Sequence, residues 1–150
     1  MVKRVEHSNL SRCPLACTLD IFGDHWSLLL IREMMIEGVH EYKDMLNMVE
    51  GIASNILSDR LKKLEEETII AAAPHPESKR RKLYYLTPKG KDLIYVILEF
   101  TRWAVKNIPD RIEIPSDKRA ILEAPPDQAA KMVFAQLEQW ERENLKTPTI

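Results

Sequence analysis

The run Leu28-Leu29-Leu30-Ile31-Arg32-Glu33-Met34-Met35-Ile36 most constrains what this chain can become. A helix laid over it is apolar nearly all round, and such a helix belongs at the centre of a core. The run is too short to cross a bilayer, and Arg32 and Glu33 interrupt it, so no membrane role is expected. Asp24 stands where an N-cap is needed and Gly38 where a helix ends, which predicts a helix from Trp26 to about Glu37. The remaining segments must pack around it. A chain of 150 residues suffices for one domain with a core of ordinary size.

The flanking segments supply more helices. Cys13-Pro14 opens a short one, because proline suits a first helical turn. Leu15, Leu19 and Phe22 give it an apolar side, and Gly23 ends it. A third helix is predicted from Tyr42 to Val49, with Tyr42, Met45, Leu46 and Val49 at helical spacing. Glu50-Gly51 makes a turn. A fourth helix follows from Ser54 to about Glu67, with Leu57, Leu61 and Leu64 on its inner side. Ser54 opens it, and Asn55, Ser58, Asp59 and Lys62 fall on the opposite side. Met34, Met35, Met45 and Met48 read as core filler, or as the lining of a ligand cavity.

The period then changes. Residues 69–73, 75–81 and 82–86 read as strand, loop and strand, a hairpin with a basic tip. The alanines at 71–73 favour helix and leave the first strand ambiguous, whereas Tyr84 and Tyr85 make the second firm. Thr87-Pro88 is a cap followed by a proline, so a long helix is predicted over 87–107, with Leu93, Ile97, Phe100, Trp103 and Ala104 along one side. A linker marked by Pro115, Pro125 and Pro126 leads to a last amphipathic helix, about Asp127 to Leu145, carrying Ala130, Val133, Phe134, Leu137 and Trp140. The organisation expected is a flexible arm over 1–12, a domain over 13–108, and a linker with C-terminal helix over 109–150. That last helix must lie either on a partner subunit or over the long helix, and deleting 110–150 is expected to weaken a dimer.

Net charge is −1, so composition alone does not argue for nucleic acid. The distribution does. Residues 53–91 hold nine lysines and arginines against five acids, while the last forty residues lean acidic. Helices joined by a tight turn and followed by a basic hairpin describe a winged helix-turn-helix, mainly α with a small β-hairpin wing. Short polar side chains on a helix can enter the major groove and bond base edges. Asn55 suits adenine, Lys62 suits guanine or a phosphate, and Asp59 suits cytosine or the orientation of Lys62 or Lys63. Lys79, Arg80 and Arg81 on the wing suit phosphates or the minor groove. For Arg60, an ion pair and a phosphate contact are both open.

Several stretches, taken in order, resemble the HxlR-type family of bacterial winged-helix regulators. They are Cys13-Pro14-Leu15-Ala16, Gly23-Asp24-His25-Trp26, Leu28 to Glu33, Gly51 to Leu61, Leu64-Glu65, and Tyr85-Leu86-Thr87-Pro88-Lys89-Gly90. The resemblance covers about residues 13–105. It implies a cytoplasmic homodimer that binds double-stranded operator DNA as activator or repressor. Residues 54–66 would be the recognition helix, 75–82 the wing, and 87–107 a dimer helix. Thr68 stands where the family often has glycine, and the tail after 110 exceeds the usual length.

Cys13 is a second site of interest. It precedes a helix-opening proline and follows Arg12, and both features favour a thiolate. Some members of the resembled family sense oxidants or electrophiles through a cysteine here, which makes Cys13 a candidate trigger for an oxidant or small-molecule effector. The alternative for Cys13 is a half-buried structural thiol, and Cys17 reads as core packing. Trp26 and Trp103 read as core or dimer packing. His7, His25, His40 and His75 have no zinc spacing, and no metal or cofactor is expected. No nucleophile–base pair or phosphate loop supports an enzyme. The competing class is a winged-helix module that binds protein instead of DNA.

Overall fold

The computed structural model describes residues 11–145. Residues 1–10 of the predicted arm, with His7, lie outside them. Helix α2 (Ser27–Met35) is the predicted centre: Leu30, Ile31 and Met34 are wholly buried. Asp24 does its capping from one step further out. Its Oδ2 accepts from Trp26 N (2.9 Å) and Ser27 N (2.8 Å), and its Oδ1 accepts from Ser27 Oγ (2.5 Å). Burial alone would raise this carboxyl. The three hydrogen bonds, with Arg60 nearby, outweigh it and hold Asp24 below its ordinary value.

Helix α1 (Pro14–Phe22) departs from expectation, because none of its residues is buried. Leu15 is 67% exposed and Leu19 is exposed as well; only Ile21 and Phe22, in the last turn, pack against the core. Cys17, expected in the core, is exposed. Helix α3 (Tyr42–Met45) is a single turn, shorter than predicted. Past it the chain tightens to three-residue bonds, Asn47 N to Asp44 O and Met48 N to Met45 O. That change of pitch keeps Met45 and Met48 inside but turns Val49 out, 99% exposed. Gly51 then adopts a positive φ (+75°) and reverses the chain into α4 (Ser54–Glu66).

Helix α4 buries Leu57, Leu61 and Leu64 as predicted. Its end is a Schellman motif: Ile69 N donates to Leu64 O and Thr68 N to Glu65 O, both at 3.0 Å, with Leu64 and Ile69 buried together. The residue that must be left-handed is Thr68, at φ +56°. A β-branched side chain is poorly suited to that region. Thr68→Gly is therefore expected to raise stability by about 1 kcal/mol, read as a higher midpoint in chemical denaturation.

Strands β1 (Ile70–His75) and β2 (Ser78–Leu86) pair antiparallel, from Ile70 opposite Leu86 to Pro74 opposite Lys82. Pro74 has no N–H to give, and the register slips there before His75 meets Ser78. The connection is only Pro76-Glu77. Lys79, Arg80 and Arg81 therefore sit on β2 and not in the predicted 75–81 loop. His40 adds one rung on the other side of the hairpin: Tyr84 N donates to His40 O (2.8 Å), and His40 Nδ1 bonds Tyr84 O (2.8 Å).

The predicted 87–107 helix is two pieces, α5 (Pro88–Lys91) and α6 (Ile94–Asn107). They are joined by a tightened turn in which Leu93 N bonds Gly90 O. Thr87 Oγ1 caps α5 by accepting from Gly90 N (3.2 Å) and donates to Thr68 O (2.6 Å). Along α6, Ile94 and Leu98 point inward. Phe100 (63%) and Trp103 (60%) stay exposed in the single chain.

The tail is not a free linker. Short 3-10 turns at Pro109–Arg111 and Ser116–Lys118 lead to α7 (Arg119–Leu122). Lys118 Nζ donates to Ile36 O (3.1 Å), and Ile121 is buried. Helix α8 (Pro126–Asn144) then buries Ala129, Ala130, Val133 and Leu137 in the core shared with α2 and α6. Of the two positions expected for this helix, it takes the one over its own subunit. Lys91 pairs with Glu141 (2.8 Å), Tyr95 Oη donates to Asp127 (3.2 Å), and the His40 ring stacks on Trp140 at 3.5 Å. Burial holds His40 below its ordinary value, and the Tyr84 carbonyl and Glu141 offset this only in part. The boundary expected at 108/109 divides no core. The fold is a winged helix-turn-helix extended by a packed C-terminal helix.

Candidate nucleic-acid interface

The outward face of α4 carries Ser54, Asn55, Ser58, Asp59 and Lys62, all exposed. Three contacts fix how that face is presented. Tyr42, on the single turn of α3, donates its hydroxyl to Ser54 O (3.0 Å) and lies 3.1 Å from Ser58 Oγ. Arg32 of α2 grips Glu50, in the turn before α4, with two bonds of 3.0 and 2.8 Å. Such a forked pair fixes orientation as well as distance. Arg60 reaches from α4 toward Asp24 (3.5 Å) and bonds Asp59 (2.6 Å). Arg60 thus makes the ion pair that was open to it, and Asp59 is one of its partners. Helix α4 is thus held at its N-terminal turn, at the preceding turn and at mid-length.

The wing stands beside this face. Glu41, Tyr42, Lys43, Arg80, Arg81, Lys82 and Tyr84 line one groove of about 510 Å3. Arg81 is half-buried and engaged: its Nε and Nη2 bond the two oxygens of Glu41 at 2.7 and 2.8 Å. It ties the wing to the entry of α3 and is no longer a free cation. Lys79, Arg80 and Lys82 are exposed. Lys43 was not singled out by sequence reasoning, yet it joins Arg80 and Lys82 around the groove. Its signal was its place next to Tyr42, the residue that touches α4.

The structure therefore brings together Ser54 and Ser58, through Tyr42, with the basic groove at the wing base. Cys13 stands apart from this constellation. It is exposed at the start of α1, a helix that packs on α2.

This arrangement has counterparts among known proteins. The sequence pattern of the HxlR-like helix-turn-helix family matches residues 21–112. The chain belongs to that family. The HTH-type transcriptional regulator YodB of Bacillus subtilis is 31% identical over 93 residues, which are 61% of this chain and 82% of YodB. Its reduced form superposes with a TM-score of 0.53 at 28% identity, covering 65% of this chain and 96% of that one. The solved structure of PA1607 superposes with a TM-score of 0.61 at 32% identity, over 69% of this chain and 72% of its own. The redox regulator HypR, in its oxidised form, gives a TM-score of 0.54 at 27% identity, over 63% and 97% of the two chains. As a member of the HxlR-like family, the chain is a transcriptional regulator by kinship, and its relatives carry that description. The family match ends at 112, so α7 and α8 lie outside it. Among the described residues no helix is long and apolar enough to cross a membrane.

Proposed function

We propose that this protein is a sequence-specific DNA-binding transcriptional regulator that acts in the cytoplasm as a homodimer. The observation that carries the reading is the exposed polar face of α4, anchored by Tyr42 and Arg60 and flanked by the Lys43–Arg80–Lys82 groove. A rigid helix with short polar side chains reads base edges, while cations beside it hold the phosphates. Asn55 and Lys62 are the base-reading candidates. Ser54, Ser58 and Asp59 are the flanking contacts on the same face. Lys79 and Arg80 are the wing contacts, and Arg81 serves by fixing the wing.

A dimer is supported by α6, where exposed Tyr95, Phe100 and Trp103 flank half-buried Val96 in an apolar surface that a second copy can cover. Two-fold pairing would set the two α4 helices about 34 Å apart, one turn of duplex. An exposed Cys13 at the head of α1 supports a response to oxidants or electrophiles. The kinship supports it too: YodB has been solved in reduced and quinone-bound forms, and HypR is described as a redox regulator.

The test is the affinity for an operator duplex, measured by fluorescence anisotropy against salt concentration. Phosphate contacts release counterions, so affinity is expected to fall steeply as salt rises. Lys79→Ala/Arg80→Ala is expected to reduce the logarithmic slope by about two. Asn55→Ala is expected to cost about 1–3 kcal/mol on the specific site and leave the slope unchanged. Mild oxidation is expected to shift the affinity of the wild type and not of Cys13→Ser. An affinity indifferent to salt would point to a protein-binding module instead.

A further inference from the structure

Cys13 and Cys17 are both exposed free thiols, one helical turn apart. Cys17 N donates to Cys13 O at 3.0 Å, so Cys13 is the residue directly above Cys17 on the helix. The Cys17 side chain points back along α1: its Sγ lies 3.9 Å from Ser11 O, two residues before Cys13. The Cys17 thiol thus points toward the N-terminal end of α1, where Cys13 stands. Cys13 accepts no cap hydrogen bond with its side chain, and no acidic residue stands in the first turn.

Spacing decides what such a pair can hold. Cys13 is the N-cap of α1, with extended backbone (φ −60°, ψ 127°), and Cys17 lies one turn inside the helix. A direct disulfide needs the two Cβ atoms within about 3.5–4.5 Å of each other. A bridging centre is less demanding: bonds of about 2.3 Å to each sulfur let it span two thiols too far apart for a direct bond.

We propose that Cys13 and Cys17 form a dithiol site for a soft, thiophilic centre with two exchangeable positions, of the class of trivalent organoarsenicals. With an arsenoxide R–As=O, each S–H gives up its proton and forms one As–S bond. The As–O bonding is replaced, and the oxygen leaves with both protons as one water. Arsenic stays trivalent, so no oxidant or reductant is consumed. The site shares with the oxidant reading only the accessibility of Cys13. It requires Cys17, which that reading does not use, and it involves no DNA.

The test uses the full reduced chain with phenylarsine oxide, read by intact mass and by counting free thiols. The expected result is one arsenical per chain with both thiols lost. The adduct should resist excess monothiol and reverse with a dithiol. Cys13→Ser and Cys17→Ser should each weaken binding by at least about 100-fold, because the second bond forms at high effective concentration. Cys17→Ser/Thr18→Cys keeps two thiols but turns one away from the other by about a quarter of the helix circumference, and should bind like a single-thiol variant. Circular dichroism of each variant checks that the fold is kept. Two arsenicals per chain, or single variants that bind like the wild type, would overturn the site. So would retention of tight binding in Cys17→Ser/Thr18→Cys.

Discussion

Removing residues 109–150 is expected to strip the fold of most of its stability, not merely to loosen a dimer. Ile121, Val133 and Leu137 are buried with α2 and α6 in one core. Each such side chain contributes about 1.5–3 kcal/mol, and a whole domain is stable by only about 5–15 kcal/mol. Three of them, with the facing surface they cover, amount to most of that margin. The truncated chain is expected to aggregate on expression or to melt roughly 10–20 °C lower than the full chain. The loss should be the same at every protein concentration, which separates it from weakened dimerisation. A truncated chain with full-length melting behaviour would show that α8 rests on the surface. Trp140→Ala, which removes the stack on His40 and leaves the buried residues in place, is the milder companion.

The second large effect is expected at Gly90. A Cβ there would lie 2.1 Å from Ile69 O and 3.1 Å from Ile69 C. Both are backbone atoms, and Ile69 O also accepts from Thr87 N (3.1 Å), so the segment leading into β1 cannot yield without opening the cap of α5. Gly90→Ala is expected to cost more than about 3 kcal/mol. In a denaturant titration the midpoint should fall sharply with the slope unchanged. Gly51→Ala is the control: nothing lies within 4 Å of its Cβ, so only its positive φ opposes the change. That costs about 1 kcal/mol. Equal losses for the two variants would mean that the close approach of α5 to β1 is not a tight constraint.

The parts of this fold that are legible in the sequence are those set by local pattern. The apolar run of α2, the Leu57–Leu61–Leu64 stripe and the Thr87-Pro88 start each act over one or two turns, and each appears where the pattern puts it. What escaped depends on partners distant in the chain. Arg81 reads as one more cation of a basic run, and only the approach of Glu41, forty residues earlier, converts it into an anchor. Lys43 lines the same groove as that pair. His40 and Trp140 show no relation in sequence, yet they stack across the molecule. The hairpin stands where the pattern puts it, but its loop is shorter than 75–81 for a local reason: charged residues read as loop, whereas β2 begins at Ser78 and includes Lys79, Arg80 and Arg81. The left-handed turn after α4 is a subtler case. The resemblance pointed to glycine where Thr68 stands, and the turn forms anyway, with threonine bearing the unfavourable φ.

The central claim is that the α4 face reads a DNA sequence. Its most direct test is selection by the purified, reduced full-length protein from a pool of random duplexes. The expected result is enrichment of a two-fold symmetric site with half-sites one helical turn apart, weakened by Asn55→Ala and lost in Lys79→Ala/Arg80→Ala. Recovery of no enriched sequence, or of one indifferent to both sets of substitutions, would contradict the assignment of α4 and the wing as the DNA-reading surface.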